Sequence, residues 1–317
     1  MLTATLLGYG AGVFVMDVHG RALEPAAGRA SQRLPRTPDG HPDFQGTWDT
    51  SSATPLERPK EFADRPFFTE AEAREFERHG LDRFRESRGE LEVITNGELN
   101  GSWSESAKVG RNLRTSIIVD PPDGRLPALT PAASARIAAR VKERSQHPFD
   151  NPEDLPLGAR CVVWGAGPPM LPMPVNSHAQ IVQTPAAVMI LSEMIHDVRV
   201  VALDGRPHLP AGIHEIKGDP RGRWEGDTLV IESTNFTAAT ELRGSTPARH
   251  VVERLSLLDA DTLEYQFTVD DPAAYTRPWS GELEWRRTAE RIFEYACHEA
   301  NYSLEMILRG ARAAERK

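Results

Sequence analysis

In residues 250–270, HVVERLSLLDADTLEYQFTVD, apolar and polar side chains alternate with period two on either side of a polar turn. That is the pattern of two antiparallel strands with one face buried. With Asp259, Ala260 and Asp261 as a three-residue loop, Leu257 faces Leu263, Leu255 faces Tyr265, Glu253 faces Phe267 and Val251 faces Val269. One face is then apolar except for Glu253, while the other gathers His250, Arg254, Gln266, Thr268 and Asp270. Upstream, GDPRGRWEGDTLVIESTNF from residue 218 adds strand pattern about a turn at Gly226-Asp227. Residues 179–183, 187–194, 198–203 and 275–285 read as further strands, with shorter ones at 44–48 and 114–120. Eight or more antiparallel strands at such short spacing can close a barrel around one small ligand. The fold class is therefore mainly β with added helices, built on an antiparallel barrel.

The helices are peripheral to that sheet. Thr69 and Glu72 form a capping box at the start of a charged helix that runs to about residue 88, and residues 89–113, polar around Trp103, read as a long loop. Thr130-Pro131 opens a second helix, and residues 302–314 make a third, packed on the outside. Residues 148–176 are rich in proline yet carry Trp164, Met170, Leu171 and Met173. Such a segment is either a lid over a ligand or a stiff strap over a sheet edge. Three regions follow: 1–30 as a signal peptide and linker, 42–150 as a strand and helix region packed on the barrel, and 151–317 as the barrel with its lid loop and C-terminal helix. Residues 22–42 look like an exposed linker, so the mature domain is expected to begin near Pro42.

The chain has 317 residues, 39% of them apolar, enough for a sizeable core. Its 46 acids outnumber 37 bases without any basic block, which argues against nucleic acid as a partner. Residues 2–16, LTATLLGYGAGVFVM, are too short to span a bilayer but suit the core of a secretory signal, although a core strand has the same composition. No membrane span is expected, and the location implied is periplasmic or secreted. Cys161 and Cys297 are the only cysteines; an oxidising compartment allows them to join, and two buried thiols are the alternative.

Several stretches together resemble a group of bacterial proteins of unassigned function, mostly predicted to be exported and abundant in environmental genomes. They include TPLERP (54–59), RTSIIVDPPDGRLPALTP (114–131), QIVQTP (180–185), EMIHDVRVVALDGRPHLP (193–210), GDPRGRWEGDTLVIESTNF (218–236), HVVERL (250–255), FTVDDP (267–272) and YACHEANY (295–302). The resemblance covers nearly the whole mature chain and implies a lipocalin-like C-terminal half; it implies no particular reaction. Ser177 and His178 stand where the resemblance implies Asn and an aromatic or polar residue.

Glu253 is the first candidate for chemistry. A carboxyl stripped of water favours its protonated form, which suits a general acid or base; the alternative is an ion pair with an arginine such as Arg243 or Arg277. His196, beside Asp197, is the second candidate for proton transfer, although neighbours on a strand point to opposite faces. Arg254 or His250 would polarise the ligand. Glu193, on the parity of Met189 and Leu191, is a second acid among apolar residues. Trp164, Met170, Met173, His178, Glu193, Tyr265, Phe267, Trp279 and His298 are the expected ligand contacts, with Trp224, Trp285 and Tyr275 available to the same wall.

His196, His208, His250, His298, Glu253 and Glu299 offer metal-ligand atoms, but no HxH or HExxH spacing organises them, so no metal is assigned. There is no G-x-S-x-G elbow or Walker A run, and GAGPP at 165–169 leads into prolines rather than a helix. No cofactor is expected. These features point to a cofactor-free acid/base lyase, isomerase or hydrolase acting on a small apolar or aromatic molecule. The rivals are a non-catalytic carrier of such a ligand and a metal-assisted hydrolase. Oligomeric state is not encoded in any motif.

Overall fold

The computed structural model describes residues 34–79, 107–164, 167–173, 175–299 and 301–316. The proposed leader at 2–16, the continuation of the first helix to residue 88 and the loop around Trp103 lie outside the described residues. In chain order the elements are β1 (Gly46–Asp49), α1 (Glu70–Arg78), β2 (Ile118–Asp120), α2 (Pro131–Gln146), β3 (His178–Gln183), β4 (Ala187–Ser192), β5 (Asp197–Ala202), β6 (Asp219–Glu225), β7 (Thr228–Thr234), β8 (His250–Asp259), β9 (Thr262–Asp270), β10 (Trp279–Thr288) and α3 (Tyr302–Ala314).

Nine strands close a barrel. β1 and β3 to β10 pair in sequence, and β1 returns to pair with β10, Thr47 opposite Thr288 and Asp49 opposite Arg286. The same edge of β10 also carries β2, which sits opposite Ser280 and Gly281. The closed barrel fits a lipocalin-like architecture, with two corrections. The sheet is mixed rather than purely antiparallel, because β5 meets β6 in parallel at Ala202 and Arg221. The region before residue 150 is also more than a layer packed on the barrel, since it supplies the closing strand β1. Order extends upstream of Pro42: Leu34 packs against the core, and Arg36 grips Asp227 at the β6–β7 turn with bonds of 2.9 and 2.7 Å.

The proposed β8–β9 register is found, with Leu257, Leu255, Glu253 and Val251 opposite Leu263, Tyr265, Phe267 and Val269. The turn differs by one residue. Asp259 pairs with Thr262, so Ala260 and Asp261 form the loop, and the extra residue is taken up as a bulge at Leu258. Residues 275–285 also shift: β10 begins at Trp279, and Tyr275 instead bridges to Leu129.

Inward parity fills the barrel with Trp48, Ile181, Ile190, Val201, Ile231, Leu255, Tyr265, Phe267, Trp279 and Trp285, all buried. Gly281 is required there, because a side chain at this position would overlap the ring of Phe267 on the neighbouring strand. Thr69 accepts from the Glu72 amide while Glu72 accepts from the Thr69 amide, which fixes the start of α1. Thr130 caps α2 with proline next to it.

Tyr275 closes one end of the core, donating to the carbonyls of Leu242 and Arg243 at 2.9 and 3.0 Å. Burial, then the nearby Asp271 carboxylate, pushes its phenol up to about 12. The folded protein thus keeps this proton at a pH where an unfolded chain, with a phenol near 10, gives it up. The stabilisation is complete below pH 10 and declines between pH 10 and 12. Urea unfolding is expected to show a midpoint that falls from pH 9 to 11, with a smaller fall in Tyr275→Phe; equal falls would remove Tyr275 as the cause.

Candidate functional site

The centre of the barrel is crossed by a polar network. Glu253 on β8, fully buried, receives Arg199 from β5 through two hydrogen bonds, Nη1 to Oε2 at 2.6 Å and Nη2 to Oε1 at 3.0 Å. The Tyr265 hydroxyl donates to Glu253 Oε1 at 2.6 Å and accepts from the backbone N–H of Met170 at 2.8 Å. Desolvating two charges costs several kcal/mol per ion, and the parallel guanidinium–carboxylate bonds, with the phenol as a third donor, are the geometry that offsets it. Burial opposes the charge on Arg199, but Glu253 more than compensates and raises its affinity for the proton. Burial and the adjacent Glu253 charge hold the Tyr265 phenol well above its ordinary range, so it remains a neutral donor.

This arrangement is the ion-pair alternative for Glu253, made with a different arginine. Its partner is neither Arg243 nor Arg277: Arg243 lies in a left-handed turn with its carbonyl on Tyr275, and Arg277 pairs with Asp120. Both oxygens of Glu253 are engaged, Oε2 by Arg199 and Oε1 by Arg199 and Tyr265. Arg199 was the residue missed. In the run Val198-Arg199-Val200-Val201 simple alternation favours placing the valines inside, yet Val198 and Val200 are 46% and 57% exposed and Arg199 points inward. An arginine inside a valine-rich strand, in a chain with a buried acid, was the available signal.

The other proposed catalytic groups do not join Glu253. Arg254 and His250 occupy the outward parity of β8, where Arg254 donates to Glu225 at 2.9 Å and His250 lies 3.8 Å from Glu232. His196 is exposed, in left-handed backbone after β4, with Nδ1 3.0 Å from the carbonyl oxygen of Tyr295. Among the described residues, none of these three side chains has a hydrogen bond or ion pair to Glu253.

The expected ligand contacts divide in the same way. Tyr265, Phe267 and Trp279 are packed inside, Tyr265 stacked on Trp285 at 4.8 Å and Phe267 edge-on to Trp279. Met170 of the proline-rich segment packs against the core with its sulfur 3.9 Å from Arg199 Nη2, so at this residue the segment plugs one side of the network. Met173 is half-buried and its carbonyl accepts from Ser177. The Trp164 ring packs over Gly158, and His298 is exposed. Trp224 stacks on His41 near the β6–β7 turn.

His178 and Glu193 meet elsewhere. His178 has the outward parity of β3; its Nδ1 is 3.0 Å from buried Glu193, whose other oxygen accepts from the Phe293 amide at 3.2 Å. Glu290 approaches the second ring nitrogen at 3.6 Å. The pair therefore fastens the segment after β10 to the outside of β3 and β4. Cys161 and Cys297 form a disulfide with Cα atoms 5.7 Å apart, fixing the same segment to the proline-rich region. A second imidazole–carboxylate pair, His208 with buried Asp219 at 3.0 Å, ties the loop after β5 to β6, with Leu209 N and Arg221 on the same carboxylate.

Among the described residues, no group of three or more His, Cys, Asp or Glu converges as a metal site, and no helix is long and apolar enough to cross a membrane. Comparison with protein-family models, curated proteins and solved structures finds no match to this chain.

Proposed function

We propose that this protein is an exported carrier of a small apolar or aromatic molecule bearing one polar group, held in the barrel lumen, and that it belongs to the environmental bacterial group its motifs resemble. The observation that carries this reading is the contact between the Met170 amide and the Tyr265 hydroxyl, with the Met170 sulfur against Arg199. The proline-rich plug occupies the place where a ligand would find an acceptor, a donor and aromatic walls. A ligand hydroxyl donating to Tyr265 and an oxygen accepting from Arg199 Nη2 would replace both contacts when the plug withdraws. Carriage is preferred to catalysis because Glu253 is committed to Arg199 and Tyr265 is held neutral, which leaves the lumen rich in recognition groups and poor in proton acceptors. The disulfide supports export, since such bonds persist in oxidising compartments.

Native mass spectrometry of protein isolated from a bacterial periplasm tests this reading. The expected result is a non-covalent adduct released intact by denaturation, with occupancy reduced about tenfold or more in Tyr265→Phe while the circular dichroism of the barrel is unchanged. An adduct retained equally by Tyr265→Phe places the ligand outside the lumen and overturns the assignment. Conversion of the released compound to a different mass on incubation would replace carriage by the acid/base reading.

A further inference from the structure

The outward faces of β8, β9 and β10 enclose a groove of about 220 Å³ with no part in the lumen network, bounded on its far side by Val119 of β2. Two rows of side chains line it. Arg254, Gln266 and Glu282 are directly opposite one another across three strands, and Val252, Thr268 and Ser280 form the next row. Adjacent strands are about 4.8 Å apart and alternate residues about 7 Å apart, so the cation of Arg254 and the carboxylate of Glu282 rise from backbones about 10 Å apart.

The unused hydrogen-bonding capacity in this groove is specific. Arg254 spends Nη1 on Glu225, and among the described residues Nε and Nη2 have no hydrogen-bond acceptor. The Gln266 amide makes no side-chain hydrogen bond among the described residues. Thr268 and Ser280 share one bond at 2.8 Å, which leaves one hydroxyl proton and several lone pairs for a visitor. Glu282 receives Asn112 and Arg114 on Oε1, and among the described residues Oε2 has no hydrogen-bond donor. Val252 and Val119 are apolar walls on its two opposite sides, and Phe267 and Gly281 complete the lining.

We propose that this groove binds one monosaccharide carboxylate, a uronic-acid unit. Its carboxylate is taken by the free edge of the Arg254 guanidinium, which matches a planar anion. Its ring hydroxyls are read by Gln266, the Thr268/Ser280 pair and Glu282 Oε2. A six-membered ring with its substituents fills a space of this size, whereas acetate reaches only Arg254 and a neutral sugar brings no anion to the edge of the guanidinium that Glu225 does not take.

Heteronuclear NMR of the full chain with D-glucuronate, D-glucose and acetate is the test. Glucuronate is expected to give saturable shifts confined to residues 252–254, 266–268 and 280–282, with glucose and acetate each at least tenfold weaker. Arg254→Gln should weaken glucuronate at least tenfold, and Gln266→Ala about three- to fivefold, with shifts elsewhere in the spectrum unchanged. Non-saturable or scattered shifts, equal binding of glucose, or full binding to Arg254→Gln would each overturn the proposal. Periplasmic ligand occupancy of the lumen has no bearing on these outcomes, so the two sites fail or succeed separately.

Discussion

Replacing Arg199 by Met is expected to lower the unfolding free energy by about 3–5 kcal/mol, because it leaves the Glu253 carboxylate buried without its counter-charge. Glu253→Gln should cost a similar amount, for it strands the guanidinium instead. The double variant Arg199→Met/Glu253→Leu removes both charges and should recover most of the loss; what persists is the Tyr265 hydroxyl deprived of its acceptor, worth on the order of 1–2 kcal/mol. Urea unfolding of the two single variants and the double one tests this, and a strong favourable coupling is the signature. Losses under about 1 kcal/mol for the single variants would mean that water reaches the pair and that it has the modest value of a surface bridge.

The second large effect concerns the disulfide. Its cysteines are 136 residues apart, and closing a loop of that length confers about 4–5 kcal/mol if the effect is purely one of chain entropy. Not all of this should disappear on Cys161→Ser/Cys297→Ser substitution. Helix α3 buries no residue, and among the described residues its polar ties to the rest of the chain are Arg312 to the carbonyls of Phe149 and Asp150 and to the Asp150 carboxylate, with Asn301 to the Ala159 carbonyl and Cys161 Sγ just before it. Without the covalent link the tail is expected to detach while the barrel remains folded, returning part of the loss as chain freedom. The net result should be about 3 kcal/mol in unfolding free energy. Hydrogen exchange should show lost protection over residues 302–314 and retained protection in β8 and β9. Retained protection of α3 in the double variant would show that non-covalent contacts hold it.

The β8–β9 register was legible because polar and apolar residues alternate over most of 250–257 and 263–270, on the two sides of a short polar turn, and a slip of one residue would turn Leu255, Leu257 and Leu263 outward. The same reasoning isolated Glu253 and placed Arg254 and His250 opposite to it. Its partner was hidden, since Arg199 comes from a strand whose flanking valines suit the outside as well as the inside of a sheet. The parallel meeting of β5 and β6 was hidden too: Gly205, Pro207, Pro210 and Gly212 erase any pattern between the strands and leave the direction of re-entry open. The grouping of His178 with Glu193 depends on a hydrogen bond from Phe293, a contact across 100 residues that no local spacing encodes.

That parallel meeting has a consequence for how the chain reaches its fold. β6 to β10 form an uninterrupted antiparallel meander whose contacts are mostly between neighbours in sequence, and β3 to β5 form a second. Between them there is one parallel pairing on one side and, on the other, β1 joining the first strand to the last. Local pairings close small loops and form early, whereas β1 must find β10 across most of the chain. The expected order is therefore two meanders that fold as separate units, with β1 arriving last as the stave that makes the cylinder continuous. Arg199 and Glu253, one from each meander, would find one another only at that late step, so the charge pair at the centre of the protein acts as a check that both halves have assembled in register.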